Sequence, residues 1–261
     1  MPRFAANLSL LYSDRPFLDR FAAARASGFR AVEFQFAYAF DPEEVRRAAA
    51  DAGVEVVLFN LPAGDWERGE RGIAVDPARR EEFREGVERA IAYARTLRCP
   101  RLNCLAGIRP QGLAPEEADR VLADNLRYAA DKLSAHGIRL LTEPVNPFDI
   151  PGFHLTTTAH AVRVMEAAAH PNLGIQYDVY HMQRTQGELV GTFERLREQI
   201  GHIQVADNPG RHEPGTGEIA YRYVFEALDR LGYTGWVGLE YIPAGRTEDG
   251  LAWMGQMGLS L

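Results

Sequence analysis

The chain has 261 residues, 46% of them hydrophobic and 25% charged, the balance of a folded protein with a large core. Its formal net charge of −7 argues against a nucleic-acid or anionic-membrane surface, because phosphate binding relies on clustered Lys and Arg. Lys132 is the only lysine and lies on the polar side of a helical pattern, which argues against Schiff-base chemistry. Cys99 and Cys104 are too few for a disulfide framework and fit no common zinc spacing; buried thiols in a reducing cytoplasm are expected. No signal-type apolar segment follows Met1-Pro2-Arg3-Phe4, and no apolar run approaches the roughly 18 residues of a membrane helix.

Strand and helix patterns alternate along the chain. Phe4 to Leu10 is an apolar run, and Pro16 to Ser27 shows helical spacing through Phe17, Leu18, Phe21 and Ala24 before Gly28 ends it. Ala31-Val32-Glu33-Phe34 reads as a second strand. Asp41-Pro42 supplies an N-cap and a first-turn proline for a helix closed by Gly53. Val54 to Asn60 is a third strand, followed by a long Gly-rich, charged segment from Leu61 to Pro77, within which Gly64 to Gly72 is a lid candidate; the role of the 64–77 loop as a whole is left open. Helices follow from about Ala78 to Leu97 and from Pro115 to Ala135, on either side of a strand from Leu102 to Leu105. The remaining strands are the stretch Leu140 to Val145, which carries Glu143 and then Pro144, and the runs Leu173 to Asp178, Ile200 to Val205 and Trp236 to Glu240. Helical patterns lie near Thr157 to Ala169, Glu188 to Gln199, Tyr223 to Leu231 and Glu248 to Met257.

Eight strands, apolar on both faces and alternating with eight helices, point to a single (β/α)8 barrel over residues 1–261. An open sheet would have edge strands marked by Lys or Pro, and none is seen. No Gly-x-Gly-x-x-Gly follows the first strand, which disfavours dinucleotide binding.

Barrel enzymes place their reactive groups at the C-terminal ends of strands. Glu143, Asp178, Gln204 and Glu240 stand there on strands five to eight, which are consecutive around the ring. Each residue alone has a structural explanation, such as capping a helix or satisfying a carbonyl. Together, three carboxylates on adjacent strands would repel one another unless they shared a cation. Four oxygen donors favour Mg²⁺ or Mn²⁺ over Zn²⁺. Such a site suits proton transfer through a metal-bound enediol, with Glu143 and Glu240 as the acid/base pair. His181, three residues past Asp178, is placed to hydrogen-bond a substrate oxygen, and Arg211 with His212, in a Gly/Pro-rich loop, to hold a substrate carboxylate. Asn7, Glu33 and Asn60 end earlier strands on the same face, as packing or as substrate contacts.

The runs Arg3-Phe4-Ala5-Ala6-Asn7-Leu8-Ser9, Leu58-Phe59-Asn60, Asn125-Leu126-Arg127-Tyr128-Ala129-Ala130 and Gly217-Glu218-Ile219 resemble the hydroxypyruvate isomerase family of the xylose-isomerase-like barrel superfamily. So do Gly64-Asp65 with Gly69-Glu70, and Arg211-His212-Glu213-Pro214. The resemblance implies conversion of hydroxypyruvate to 2-hydroxy-3-oxopropanoate (tartronate semialdehyde), or isomerisation of a related 2-oxo acid such as 2-dehydrotetronate. It also implies Glu143 and Glu240 as the proton-transfer pair and brings Glu70 into the expected substrate contacts. A ketose C3 epimerase is a further alternative, but the related epimerases carry a His where this chain has Gln204, which favours an all-oxygen site. Endonucleases on the same barrel use zinc with many His ligands, against seven His in total here. The expected partner is a small hydroxy-oxo acid rather than nucleic acid or membrane, and a homo-oligomer is left open.

Overall fold

The structure, a computed structural model, describes residues 2–261. Its strands follow the apolar runs: β1 Arg3–Asn7, β2 Ala31–Glu33, β3 Glu55–Asn60, β4 Arg101–Cys104, β5 Arg139–Thr142, β6 Leu173–Asp178, β7 Ile200–Val205 and β8 Trp236–Leu239. Each pairs in parallel with its neighbours, and β8 pairs with β1, so the sheet closes into an eight-stranded barrel with no free edge. Helices α1 Arg20–Ala26, α2 Pro42–Ala52, α3 Arg80–Leu97, α4 Pro115–Ser134 and α5 Thr158–Ala168 pack outside it. They are joined there by α6 Val179–Thr185, α7 Leu189–Leu196, α8 Tyr221–Arg230, α9 Thr247–Gly250 and α10 Ala252–Gln256. This is the (β/α)8 architecture expected from the alternation.

The local signals act as their chemistry dictates. Asp41 accepts a hydrogen bond from the Glu43 amide, Pro42 occupies the first turn of α2, and Gly53 closes it at φ 68°. Thr157 caps α5 through the His160 amide. Between sheet and helices lies one apolar core, to which Phe4, Phe34, Phe59, Phe225 and Trp253 contribute packed rings.

Three elements depart from the expected boundaries. β1 stops at Asn7 rather than continuing to Leu10, because Asn7 turns the chain by accepting the Leu10 and Leu11 amides at its carbonyl and the Ser9 amide at its side chain. The helix after it opens as a 3-10 turn, Phe17–Asp19. The last helix is broken at Leu251 into α9 and α10. A further helix, α6, begins directly at the end of β6, where the Asp178 carboxylate accepts the Tyr180 and His181 amides. Seven residues are too few to show a helical period in the sequence.

The loop that contains the expected lid is anchored just past it. Ile73, Ala74 and Val75 are buried, the Val75 amide bonds to Ala106, and Asn125 donates to the Ala74 carbonyl. Gly72, at φ 122°, lies so close to the Leu105 and Gly107 backbones that a Cβ would overlap them. Trp66 packs against Phe36 with the rings tilted by 55° and lies under the Arg71 guanidinium. Cys99 and Cys104 are free buried thiols, and burial pushes each up to about 12. Lys132 pairs on the surface with Glu88. Among the described residues no helix is long and apolar enough to cross a membrane.

Candidate active site

Strand register brings the polar strand ends to one level. Asn7 lies beside Glu33, Asn60 beside Asn103, and Asp178 beside Gln204. Glu143 and Glu240 follow directly on β5 and β8. All four expected ligands are buried: Glu143 is 4% exposed, Asp178 1%, Gln204 2% and Glu240 5%. Burial without compensation would strongly disfavour three carboxylates, so their partners decide what the site can do.

The four are linked in two pairs. The Gln176 amide nitrogen lies between Glu143 Oε2, at 2.8 Å, and Gln204 Oε1, at 2.6 Å. The Arg211 guanidinium lies between Glu240 Oε2, at 2.5 Å, and Asp178 Oδ2, at 3.5 Å. Asn103 adds a second bond to Glu143 Oε2, at 3.0 Å. Both hydrogen bonds to Glu143 therefore fall on one oxygen, and Oε1 is left bare. Asn7 and Gln35 donate to Glu240 Oε1 at 3.2 and 3.3 Å.

His181 joins this centre from α6. Its Nε2 is 3.8 Å from Glu143 Oε1 and 3.5 Å from Asp178 Oδ2, and the three donor atoms all lie within 4.8 Å of one another. The Asn146 side-chain amide reaches His181 Nδ1 at 2.7 Å, which assigns the ring proton to Nε2, facing the carboxylates. Burial, with Arg211 and Arg184 nearby, holds His181 well below its usual pKa, so it is a neutral donor.

Burial is also the main reason the carboxylates resist ionisation. Glu143 is pushed well above the carboxylate range by desolvation and by Glu240 and Asp178. Glu240 is raised to about 7 by desolvation, which Arg211 opposes. Asp178 is raised by desolvation against the pull of Arg211 and two backbone amides. Asp178 Oδ2 is buried with no hydrogen-bond partner. An orphaned Asp178 oxygen and the Gln204 carbonyl oxygen, beside the Glu143 and Glu240 carboxylates, are the donor chemistry that a hard dication takes, and these residues fit one. In this structure Asp178 and Glu240 share the Arg211 guanidinium as their countercharge.

Arg211 is set in its place by the β7–α8 loop. Asp207, fully buried, accepts the Asn208, Gly215 and Ile219 amides, and Arg211 itself adopts a left-handed φ of 57° with its guanidinium over Tyr180. His212 and Glu70 are not gathered into the centre. His212 Nδ1 bonds to the Ile242 carbonyl at 2.8 Å. The Glu70 carboxylate caps its own loop at the Asp65 amide and pairs with Arg79, and these bonds hold it below the usual carboxylate range.

Sequence reasoning left several contributors unassigned. Asn103, Gln176, Asn146 and His202 had no signal beyond being polar residues in or beside strands. Glu33, left open at sequence level, is 0% exposed and accepts from His202 Nε2 at 2.5 Å, Gln204 Nε2 at 2.7 Å and Asn7 at 3.0 Å. By taking the Gln204 amide hydrogens it turns Gln204 Oε1 toward the other ligands. Gly238 makes room for it, since a Cβ there would sit 2.3 Å from the Glu33 oxygens.

Comparison with known proteins bears on this arrangement. The profile of the xylose isomerase-like TIM barrel family matches residues 21–257. The chain is 53% identical over 254 residues to the hydroxypyruvate isomerase of Escherichia coli (strain K12), covering 97% of this chain and 98% of that one. It is 42% identical, over 97% of this chain and 98% of the relative, to the 2-oxo-tetronate isomerase of Cupriavidus necator. A crystal structure described as an AP endonuclease of family 2 from Brucella melitensis superposes with a TM-score of 0.95 at 44% identity, covering 98% of this chain and 99% of that one.

Proposed function

We propose that this chain, which belongs to the xylose isomerase-like TIM barrel family and is an isomerase of the hydroxypyruvate isomerase kind, interconverts hydroxypyruvate and 2-hydroxy-3-oxopropanoate. The observation that carries the reading is Glu143: a buried carboxylate with both hydrogen bonds on Oε2 and its other oxygen bare beside His181.

In the forward direction Glu143 Oε1 takes a proton from C3 of hydroxypyruvate, next to the carbonyl. Glu240, on the opposite flank, delivers a proton to C2, and the hydroxyl proton passes from O3 to O2, so the product has the same atoms; Glu143 then gives up its proton and Glu240 regains one by exchange with solvent before the next turnover. Their raised pKa values suit both residues to hold a proton for part of the cycle. His181 Nε2–H donates to a substrate oxygen. Arg211 binds the substrate carboxylate once it parts from Glu240 and Asp178. Glu143, Asp178, Gln204 and Glu240 would hold a divalent cation, Mg²⁺ or Mn²⁺, which when bound draws electron density from the substrate oxygens and acidifies the carbon-bound proton.

The test is proton NMR of hydroxypyruvate with the protein and Mg²⁺ in heavy water. Tartronate semialdehyde and deuterium at the exchanged carbon are expected; neither product nor exchange would sink the assignment. The similarity to 2-oxo-tetronate isomerases supports a four-carbon acid as the second reading, and higher kcat/KM for that acid in a matched panel would select it. The nuclease description of the Brucella melitensis structure predicts retention of abasic duplex DNA. The net charge of −7 opposes that, and a gel shift decides it.

A further inference from the structure

Outside this centre, a second set of metal-type donors lies on the helical layer. Asp119 belongs to α4, His160 to the first turn of α5, and His154 to the loop between β5 and α5. Both imidazoles aim the same nitrogen at the same oxygen. His154 Nε2 is 2.7 Å and His160 Nε2 2.6 Å from Asp119 Oδ1, with ring centroids 5.0 Å apart. The three donor atoms lie within 4.8 Å of one another.

As it stands the cluster is held by two imidazole N–H donors on one carboxylate oxygen. Neither Nδ1 is tied to any described residue, so each ring is free to carry its proton there and present a bare Nε2. Two neutral imidazoles and one carboxylate are a donor set for a borderline first-row dication, in contrast to the all-oxygen set at the barrel mouth. A tetrahedral ion at ordinary Zn–N and Zn–O lengths needs its ligands roughly 3.4 Å apart, so the contacts need to open by roughly 0.7 Å. The side chains allow it: His154 is 4% exposed and fixed, but His160 and Asp119, at 16% and 34%, border solvent, which also supplies water for the fourth position.

We propose that Asp119, His154 and His160 form a second, Zn²⁺-type site that clamps the β5–α5 loop to α4 and α5. The clamp has a structural target. The same loop carries Asn146, whose side chain meets His181 Nδ1 at the barrel mouth. Zn²⁺ at the clamp fixes the far end of that loop and takes no part in proton transfer.

The experiment uses full-length chelator-stripped protein titrated with Zn²⁺ and read by long-range proton–nitrogen correlation of the histidine rings. His154 and His160 are expected to change tautomer, with Nε2 becoming a metal-bound nitrogen and Nδ1 the protonated one. Both rings keeping their Nε2–H form at saturating Zn²⁺ would overturn the proposal. In a Glu143→Gln/Asp178→Asn chain, which disables the mouth, one Zn²⁺ should remain by equilibrium dialysis. Adding His160→Ala should weaken it by more than the roughly 10–100-fold that losing an outer-shell partner produces. Retention with equal affinity in that variant, or in His160→Gln if the alanine variant fails to fold, would equally rule out the site.

Discussion

The two halves of the barrel rim occupy the same height and use opposite chemistry. Glu143, Asp178, Gln204 and Glu240 stand at or just past the ends of β5 to β8, whereas β1, β3 and β4 present the neutral amides Asn7, Asn60 and Asn103. Two of the amides meet the charges at the seams between the halves, where β4 adjoins β5 and β1 adjoins β8: Asn103 donates to Glu143 and Asn7 to Glu240. The lesson is a division of labour. One half holds the carboxylates to which the proposed chemistry is assigned, and the other supports them with dipoles that add no competing charge; at Glu143, Asn103 occupies Oε2 and leaves Oε1 free. Glu33 is the one carboxylate on the amide side, and it is quenched by His202, Gln204 and Asn7 rather than left to react.

The division breaks most visibly if a reactive charge is removed. Glu143→Gln keeps the size and much of the hydrogen bonding but deletes the base, and kcat should fall by about 10²–10⁴ at saturating hydroxypyruvate and metal. Undiminished turnover would mean that the charged half does not carry the chemistry.

A smaller effect is expected from the amide half. Asn103→Ala removes a hydrogen bond to a charged group, worth about 1.5–3 kcal/mol, and lets the Glu143 carboxylate turn. A loss of roughly tenfold or somewhat more in kcat, with KM little changed, is expected in steady-state assays. A change confined to KM would make Asn103 a binding residue and blur the comparison.

The smallest effect is on stability. Glu240 has an ordinary value of 4.5 and is raised to about 7 by burial, so in chelator-treated protein the folded state keeps a proton that unfolding releases. Its contribution is fully present below the ordinary value and is lost as pH rises through about 7. Glu240→Gln carries no such proton. Scanning calorimetry should therefore show the variant gaining on the parent between pH 5 and pH 8, by about 2–4 °C for each kcal/mol lost from the parent. A pH-independent difference would place Glu240 in a more polar setting than its burial indicates.

Much of this was legible in the chain itself. Apolar runs bounded by caps and glycines fixed the number and order of strands, because a buried parallel strand must be apolar on both faces. Barrel closure then made Glu143, Asp178, Gln204 and Glu240 neighbours, since a strand end is a defined place on a ring. The family resemblance rested on runs such as Arg3 to Ser9 and Arg211 to Pro214, and the relatives bear out an isomerase.

What only the tertiary structure decided were pairings between elements distant in the chain, which no local period encodes. Gln176 bridging Glu143 and Gln204, Arg211 bridging Asp178 and Glu240, and Glu33 turning Gln204 all join residues 28 to 171 positions apart. Asp119, His154 and His160 were equally invisible, being single polar residues on two helices and a loop. Sequence determines which face of an element a side chain takes; which oxygen meets which nitrogen follows only once the ring has closed and water has been expelled.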